Sequence, residues 1–497
     1  MFQIVVRIVY GNADQLIYPA LGVVVIFISI RILNDWRDGF RIFLIWLLVE
    51  DLIRKYMGNN MAIYFGKDFL VGISYISFVV ALRKHAVKTF RPPFLISLGA
   101  FAWFAIAQVF NSNSPSLVYG LLGIKLYLFY IPLMFLGYAI IEKEEDLSRF
   151  LVLNMIIAGV IALLGIVQSI VGLSFLNPSE LADDIKDLGS LTRVAPISGM
   201  LVSRPTSVFV SDGRFASYMV LMFIVGLGTA GYLLLRGRRG QSLVFISIGL
   251  TALGGVMSGS RGAFLYIVIS AMLVCAAMLW GAPWRWRQGH RLVKAIRRSL
   301  MLISVAIALI VVFFPDAILA RWAFYTETMS PDSAAYELDY RVWDNPYANL
   351  KGAFDNPHWV TGNGIGTASL GVQYVARIMG VPPNYVGVES GYGVVIVELG
   401  LLGIILWVLW TLHVTLSAFK VAQKLKETPY FPVAASIVWF TFMLLILDTF
   451  SGMQSFENYV NNAYLWLLLG ILFRLPSLAS EYRSASIAAP SAISHAS

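Results

Sequence analysis

The chain has one cysteine, Cys275, in 497 residues, which excludes an internal disulfide. Only 13% of its residues are charged, too few to cover the surface of an ordinary soluble protein of this length. Histidine is scarce as well. His85, His290 and His413 fall beside basic connections and His495 in the final polar stretch, leaving His358 alone in a long polar connection. No His, Cys and Asp spacing suggests zinc and no paired-aspartate motif appears, so neither a metal nor a cofactor is expected. The opening MFQIVVRIVYGNADQ has an apolar run too short for a signal peptide and no small-residue cleavage site, so no processing is expected. No internal repeat of the kind that marks many transporters is present.

What the chain has in abundance is apolar surface: 58% of residues are hydrophobic and the mean hydropathy is +0.74. Such a chain uses lipid as its solvent. Runs approaching the roughly 20 residues that span a bilayer recur near 16–33, 40–55, 68–83, 93–110, 117–141, 149–176, 212–235, 241–257, 262–281, 299–314, 389–412, 431–448 and 459–473. Lipid admits only helices and closed barrels, and continuous apolar runs lack the alternation of a barrel strand. The expected fold is an all-α polytopic membrane protein with about 12–13 transmembrane helices.

Basic residues sort by side. Arg83, Lys84, Lys88 and Arg91, then Arg236, Arg238 and Arg239, then Arg285 to Arg298, then Lys420, Lys424 and Lys426 occupy alternate connections, which the positive-inside rule assigns to the cytoplasm. The net charge of +9 is therefore read as a topology signal, and nucleic acid is not expected as a partner. The connections at 177–211 and 315–388 then face outward. The organisation expected is helices and short loops over 1–314 with an outer loop at 177–211, a large periplasmic loop over 315–388, C-terminal helices over 389–473, and a disordered cytoplasmic tail over 474–497.

A connection as long as 315–388 is uncommon in a compact protein and is usually functional or disordered. This one carries Trp322, Phe324, Tyr325, Tyr336, Tyr340, Trp343, Tyr347, Phe354, Trp359 and Tyr374, enough aromatic surface to fold as a lid. Its Gly362-Asn363-Gly364-Ile365-Gly366 lacks the lysine and Ser/Thr of a P-loop and reads as a tight turn with close backbone approach.

On the outer face, Arg261 in Ser258-Gly259-Ser260-Arg261-Gly262 stands between two apolar runs, where it either snorkels or meets a ligand. Arg204 and Arg214 lie at the same level, and each alone fits a salt bridge to Asp183, Asp184 or Asp212 as well as it fits a ligand. Together the arginines suit a phosphate or diphosphate, whose oxygens guanidinium binds bidentately. Arg341, Trp343 and His358 come from the long loop. Glu389, leading the next span, fits either a helix N-terminal carboxylate or a general base. Ser390 and Tyr392 follow it, Glu398 falls out of phase with it, and Lys125 and Asp448 are further intramembrane charges.

The order Arg204…Phe209, Ser258-Gly259-Ser260-Arg261-Gly262, Arg341-x-Trp343, Asn356-Pro357…Gly362-x-Gly364-x-Gly366 and Glu398-Leu399-Gly400-Leu401-Leu402-Gly403 resembles the O-antigen ligase and O-antigen polymerase superfamily over about 200–480. The resemblance implies a GT-C-like bundle at the inner membrane acting on undecaprenyl-diphosphate-linked glycans at the periplasmic face without metal. Ligases of that family carry His, then Asn, Ser or Gln, then nine residues and Gly in the last motif. Here Ser390 and Gly400 keep that spacing and Glu389 fills the histidine slot.

The expectation is thus an inverting polymerase of a secreted or surface polysaccharide. Glu389, Arg261 and Arg204 would be catalytic, and Arg214, Arg341, Trp343, His358, Ser390 and Tyr392 would bind substrate. Expected partners are the lipid-linked glycan, membrane lipid, and a chain-length regulator or export machinery. A ligase moving a finished glycan to a lipid or protein acceptor is the alternative, with a transporter or flippase behind it. His358 competes with Glu389 for the role of base.

Overall fold

The computed structural model describes residues 14–57, 61–85, 87–178, 191–284, 311–381 and 388–488, with a few positions between 293 and 308. Helix makes up 76% and strand 1% of it, so the chain is all-α and no barrel is present among the described residues. Seven of the described helices are long and apolar enough to cross a membrane, and shorter apolar helices lie at Gly22–Asn34, Leu95–Phe110, Leu117–Tyr127 and Gln241–Met257. This is a multi-pass helical membrane protein, and among the described residues fewer helices are full-length spans than the apolar runs predict. The run at 117–141 is one reason: Pro132 has no N–H to continue a helix, and the run divides into Leu117–Tyr127 and Leu133–Ile140. The run at 299–314 lies largely outside the described residues.

The chain forms two compact units, Met1–Thr89 and Phe90–Ser497. The first contains α1 (Asp14–Asn34), α2 (Trp36–Tyr56) and α3 (Met61–Arg83). A fully buried ion pair joins Glu50 of α2 to Lys67 of α3 at 3.0 Å, and Asp51 pairs with Arg54 one turn on at 3.4 Å. Two charges in a low-dielectric interior persist only as partners, so this pair fixes the register of α2 on α3.

The second unit holds α4 (Leu95–Ala107), α5 (Leu117–Tyr127), α6 (Leu133–Ile140), α7 (Glu144–Val171), a hairpin of β1 (Thr192–Val194) and β2 (Leu201–Ser203), α8 (Asp212–Arg236), α9 (Gln241–Met257) and α10 (Arg261–Gly281). There follow α11 (Pro315–Met329), a π turn Tyr340–Asp344 running into α12 (Asn345–Gly352), α13 (Val372–Met379), α14 (Gly391–Lys424), α15 (Phe431–Phe442) and α16 (Tyr459–Ala488). Its centre is α8, whose apolar window is 89% buried against α7, α9, α10 and α15. Glycines let these helices close up: a Cβ on Gly228 would meet the Pro432 carbonyl oxygen at 2.8 Å, and one on Gly231 the Pro432 ring at 2.7 Å. The expected tail from 474 is corrected, because α16 continues to Ala488 and Arg474 is buried, donating to the carbonyls of Ile141 at 2.9 Å and Glu142 at 3.1 Å. Residues 489–497 lie outside the described residues.

The unit has two chemically distinct ends. At one, Arg236 and Arg238 from the end of α8 pair with Glu144 and Glu145 at the start of α7, and Lys426 stands over the Trp280 ring at 3.8 Å. At the other, the start of α8, the end of α9 and the start of α10 meet the β-hairpin and α11.

The segment 353–371 threads into the bundle and replaces helix hydrogen bonds that α14 gives up. Gly400 has φ 70° and ψ −168° and kinks α14, freeing the carbonyls of Val397 and Glu398, which accept from Asn363 N at 2.8 Å and Gly364 N at 2.9 Å, while Leu401 N donates to Val360 O at 3.1 Å. Non-helical backbone at membrane depth survives only where protein satisfies it in this way. The glycine run is therefore a close backbone approach whose amides at 363 and 364 are already spent on protein carbonyls. Glu398 is fully buried and secures the next stretch, accepting from Tyr127 Oη at 2.9 Å, Ala368 N at 2.8 Å and Ser369 Oγ at 2.8 Å.

Candidate functional site

A cavity of about 270 Å³ opens among Arg193, Val194, Pro196, Arg261, Phe324, Thr328, Glu337 and Arg341. Each wall has a local cause. Ser260 caps α10, its Oγ accepting from Ala263 N at 3.3 Å, and Gly259 takes φ 65°, which turns the chain sharply from α9 into α10. Arg261 thus becomes the first residue of α10, with its guanidinium carbon 5.5 Å from the Phe324 ring centroid. Arg193 comes from the hairpin, opposite Val202 in the β register. Glu327 on α11 holds the hairpin tip, accepting from Ile197 N at 2.7 Å and Ser198 N at 3.0 Å. These hydrogen bonds, Ser198 first, hold the Glu327 carboxyl below its ordinary pKa. Val202 and Ala195 pack with Ala320 and Phe324 beneath.

Arg321 pins the same corner from inside. It is buried and donates to the carbonyls of Met257 at 3.0 Å, Ala317 at 2.7 Å and Ser203 at 2.7 Å, tying α9, α11 and β2 together. Arg321→Met should leave these carbonyls without a donor and cost roughly 3 kcal/mol. The expected result is a clear fall in the thermal unfolding midpoint of the purified protein, and an unchanged midpoint would contradict this role.

The cavity is electrically unbalanced. Arg261 Nη1 and Arg341 Nε both approach Glu337 Oε2, at 3.0 Å and 3.5 Å. Arg204 pairs with Asp212, and its buried Nε has no hydrogen-bond partner. Among the described residues Arg193 pairs with no carboxylate. Burial, then repulsion from Arg204 and Arg261, pulls its pKa below the ordinary value, yet a guanidinium stays cationic at neutral pH. Glu337 is affected in the opposite sense: partial burial raises its carboxyl, but Arg261 and Arg341 outweigh this and hold it low. Four arginines thus share two carboxylates.

Of the arginines singled out in the sequence, Arg261 and Arg341 line the cavity, and Arg204 stands behind it, paired with Asp212, one of the partners foreseen. Pairing with Glu337 replaces the snorkelling alternative for Arg261. Arg214 is directed elsewhere, donating to Tyr459 Oη at 3.2 Å with its guanidinium over that ring. Asp183 and Asp184 lie outside the described residues. Sequence reasoning missed Arg193, Glu337 and Arg321.

Glu389 does not line the cavity but is tied to it by one polar stripe. Arg341 N donates to Glu337 O at 2.9 Å, and the π turn carries the chain from Arg341 to Asn345, whose Nδ2 donates to Glu389 Oε2 at 3.0 Å. Asn349, a turn further, accepts from Glu389 N at 3.0 Å and donates to Asn345 Oδ1 at 2.8 Å. With about 1.5 Å rise per residue, Asn345 stands roughly 6 Å along the helix from Arg341. Glu389 precedes α14, which starts at Gly391, and its carboxylate turns to Asn345 instead of capping that helix.

The residues after it are structural contacts here. Ser390 is buried, with Oγ donating to Phe450 O at 2.9 Å, and Tyr392 Oη donates to Ile446 O at 3.2 Å. Trp343 packs on Phe450 at 5.4 Å between ring centroids. His358 lies in the turn after α12, where its backbone N donates to Asn356 Oδ1 at 3.0 Å, and lines no wall of the cavity. Among the described residues no group of three or more His, Cys, Asp and Glu side chains is placed to hold a metal ion.

In comparisons with known proteins, no family model matches this chain and no curated protein matches it.

Proposed function

We propose that the chain is a membrane glycosyltransferase of the inner membrane that extends a polysaccharide from undecaprenyl-diphosphate-linked repeat units at the periplasmic face. The observation that carries this reading is the arginine-rich cavity: Arg193, Arg261 and Arg341 line it with Glu337 as their one lining carboxylate among the described residues, and Arg204 is paired nearby with Asp212. Its volume of about 270 Å³ is just under the range of whole-ligand sites, which suits a small anionic group such as a diphosphate with its glycan and lipid extending outside.

In the reaction the acceptor hydroxyl oxygen bonds to the anomeric carbon as that carbon's bond to the diphosphate oxygen breaks. The diphosphate leaves with the electron pair. Its developing charge is stabilised by Arg261, Arg193 and Arg341, whose positions are set before the reaction begins. Glu389 accepts the hydroxyl proton as the new bond forms. Exposed Tyr340, Trp343 and Tyr347 on the neighbouring helical stretch offer flat faces to sugar rings.

Purified protein given an undecaprenyl-diphosphate-linked repeat unit should yield a ladder still attached to the lipid diphosphate. Arg261→Gln should lower its rate by about 10- to 100-fold through the loss of a charge-assisted contact. Transfer to a different lipid or protein acceptor would make the chain a ligase. Movement of the glycan across the bilayer without a new bond would make it a transporter.

A further inference from the structure

Two carboxylates meet inside the second unit without a cation between them. Glu398 of α14 is wholly buried, and Glu457, closing the short turn Gln454–Glu457, is 3% exposed. Both hold the same three residues of the long connection. Glu398 Oε1 accepts from Ala368 N and Ser369 Oγ, each at 2.8 Å, and Glu457 Oε2 accepts from Leu370 N at 2.6 Å. Ser369 also faces Glu457. Tyr127 from α5 is the third titratable group here, its Oη donating to Glu398 Oε2 at 2.9 Å. Phe456 closes one side, its ring centroid 6.1 Å from that of Tyr127 and 5.1 Å from that of Trp407. Among the described residues neither carboxylate pairs with a Lys, Arg or His. Lys125 stands two residues before Tyr127 on α5, about 200° round the helix and so on another face.

The two carboxylates are not held alike. Glu398 has three donors spread over both oxygens. Glu457 has the Leu370 amide, and its buried Oε1 has no hydrogen-bond partner. Two adjacent carboxylates in a dry site do not both ionise. We propose that Glu398 and Glu457 hold one proton between them, resting on Glu457, and that this proton latches residues 368–370 into the bundle. Protonation turns Glu457 Oε1 from an orphaned acceptor into a donor. Ser369 Oγ, whose own hydrogen goes to Glu398, keeps lone pairs to accept it. The series Glu457, Ser369, Glu398 is then satisfied from end to end, with a single negative charge held by three donors. Loss of the proton leaves two buried negative charges on either side of Ser369, and the stretch must open to admit water. Burial, then the charge of Glu398, raises the Glu457 carboxyl above its ordinary pKa. An acid raised in this way keeps a proton that the open state releases, so the latch holds at low pH and weakens as the pH climbs through the folded value. None of these residues lines the arginine cavity, so the latch is separate from the proposed reaction.

The test follows the full chain in detergent micelles by hydrogen exchange and thermal unfolding between about pH 6 and about pH 9. In wild type, protection of the peptide covering 363–371, corrected for the intrinsic pH dependence of exchange, should fall about 10-fold for each pH unit above the folded pKa. Glu457→Gln has the charge and shape of the protonated form, and its amide can donate to Ser369 as the acid does. It should keep that protection across the whole range, and at the alkaline end its thermal midpoint should equal or exceed that of wild type. The infrared carbonyl band of protonated carboxyl groups should be weaker in Glu457→Gln than in wild type. A flat protection profile in wild type would overturn the latch, as would an equal alkaline fall in the variant. So would a Glu457→Gln that fails to fold or has lost protection at the acidic end, because Glu457 would then be needed as an ionised acceptor. A wild-type midpoint raised by sodium chloride over choline chloride, with no such rise in Glu457→Gln, would put a metal cation in place of the proton and overturn it too.

Discussion

Glu389→Gln should stop chain extension, with a loss of at least about 100-fold, the scale on which a positioned general base acts. The substitution removes the charge and keeps the shape. Glutamine can still accept from Asn345 Nδ2 through its side-chain oxygen, and the Glu389 backbone keeps its bond to Asn349. The side chain is exposed, so no buried partner is lost and the protein should fold and bind its lipid substrate normally. Asn345→Ala retains the carboxylate but frees it to rotate, and should cost about 10-fold, within the range for misplaced catalytic groups. His358→Gln should extend chains as wild type does, since His358 neither lines the arginine cavity nor, among the described residues, shares the hydrogen bond to Asn345 that ties Glu389 to the stretch after Arg341. Full activity in Glu389→Gln would remove Glu389 as the base, and loss of activity in His358→Gln would transfer the role.

The apolar runs announce the helices because lipid enforces composition over whole turns, so no single residue has to be read correctly. The arginine of Ser258-Gly259-Ser260-Arg261-Gly262 was legible for a related reason: a charge between two apolar runs is conspicuous in any environment. Arg193 was not legible, because an arginine in a polar connection looks ordinary until the hairpin register opposite Val202 carries it to the cavity wall. Glu337 was hidden in the same way, since its value depends on Arg261, 76 positions distant in the chain. The kink at Gly400 escaped notice because Glu398-Leu399-Gly400-Leu401-Leu402-Gly403 reads as uninterrupted apolar helix, and only the left-handed φ and the approach of Val360 reveal the break. Asn345 and Asn349 declare themselves only once a helix sets them one turn apart beside Glu389.

Gly366→Ala should be the most destabilising small substitution in the second unit. Gly366 has φ 84°, a conformation that costs a residue with a side chain roughly 1–2 kcal/mol. A Cβ built there would also fall onto the carbonyl oxygen of Tyr119 and within 2.6 Å of Gly123 N, both backbone atoms of α5 that cannot rotate away. Gly123 is glycine for the reciprocal reason, since its own Cβ would meet Gly366 N at 2.7 Å. Overpacking against fixed backbone adds roughly 1–3 kcal/mol, so the combined cost approaches the whole stability of a marginal domain. The damage should spread, because Gly366 lies between the amides that satisfy the α14 kink and the Ala368 and Ser369 groups that hold Glu398. Freed of those donors, Glu398 would be a buried carboxylate bonded to Tyr127 alone. Gly366→Ala should therefore give little folded protein, or a strongly lowered thermal midpoint. Gly99→Ala on α4, where a Cβ meets nothing within 4 Å, should behave as wild type. Equal midpoints for the two variants would mean that the glycine run tolerates separation from α5, and the close backbone approach would then not be what holds the long connection in the bundle.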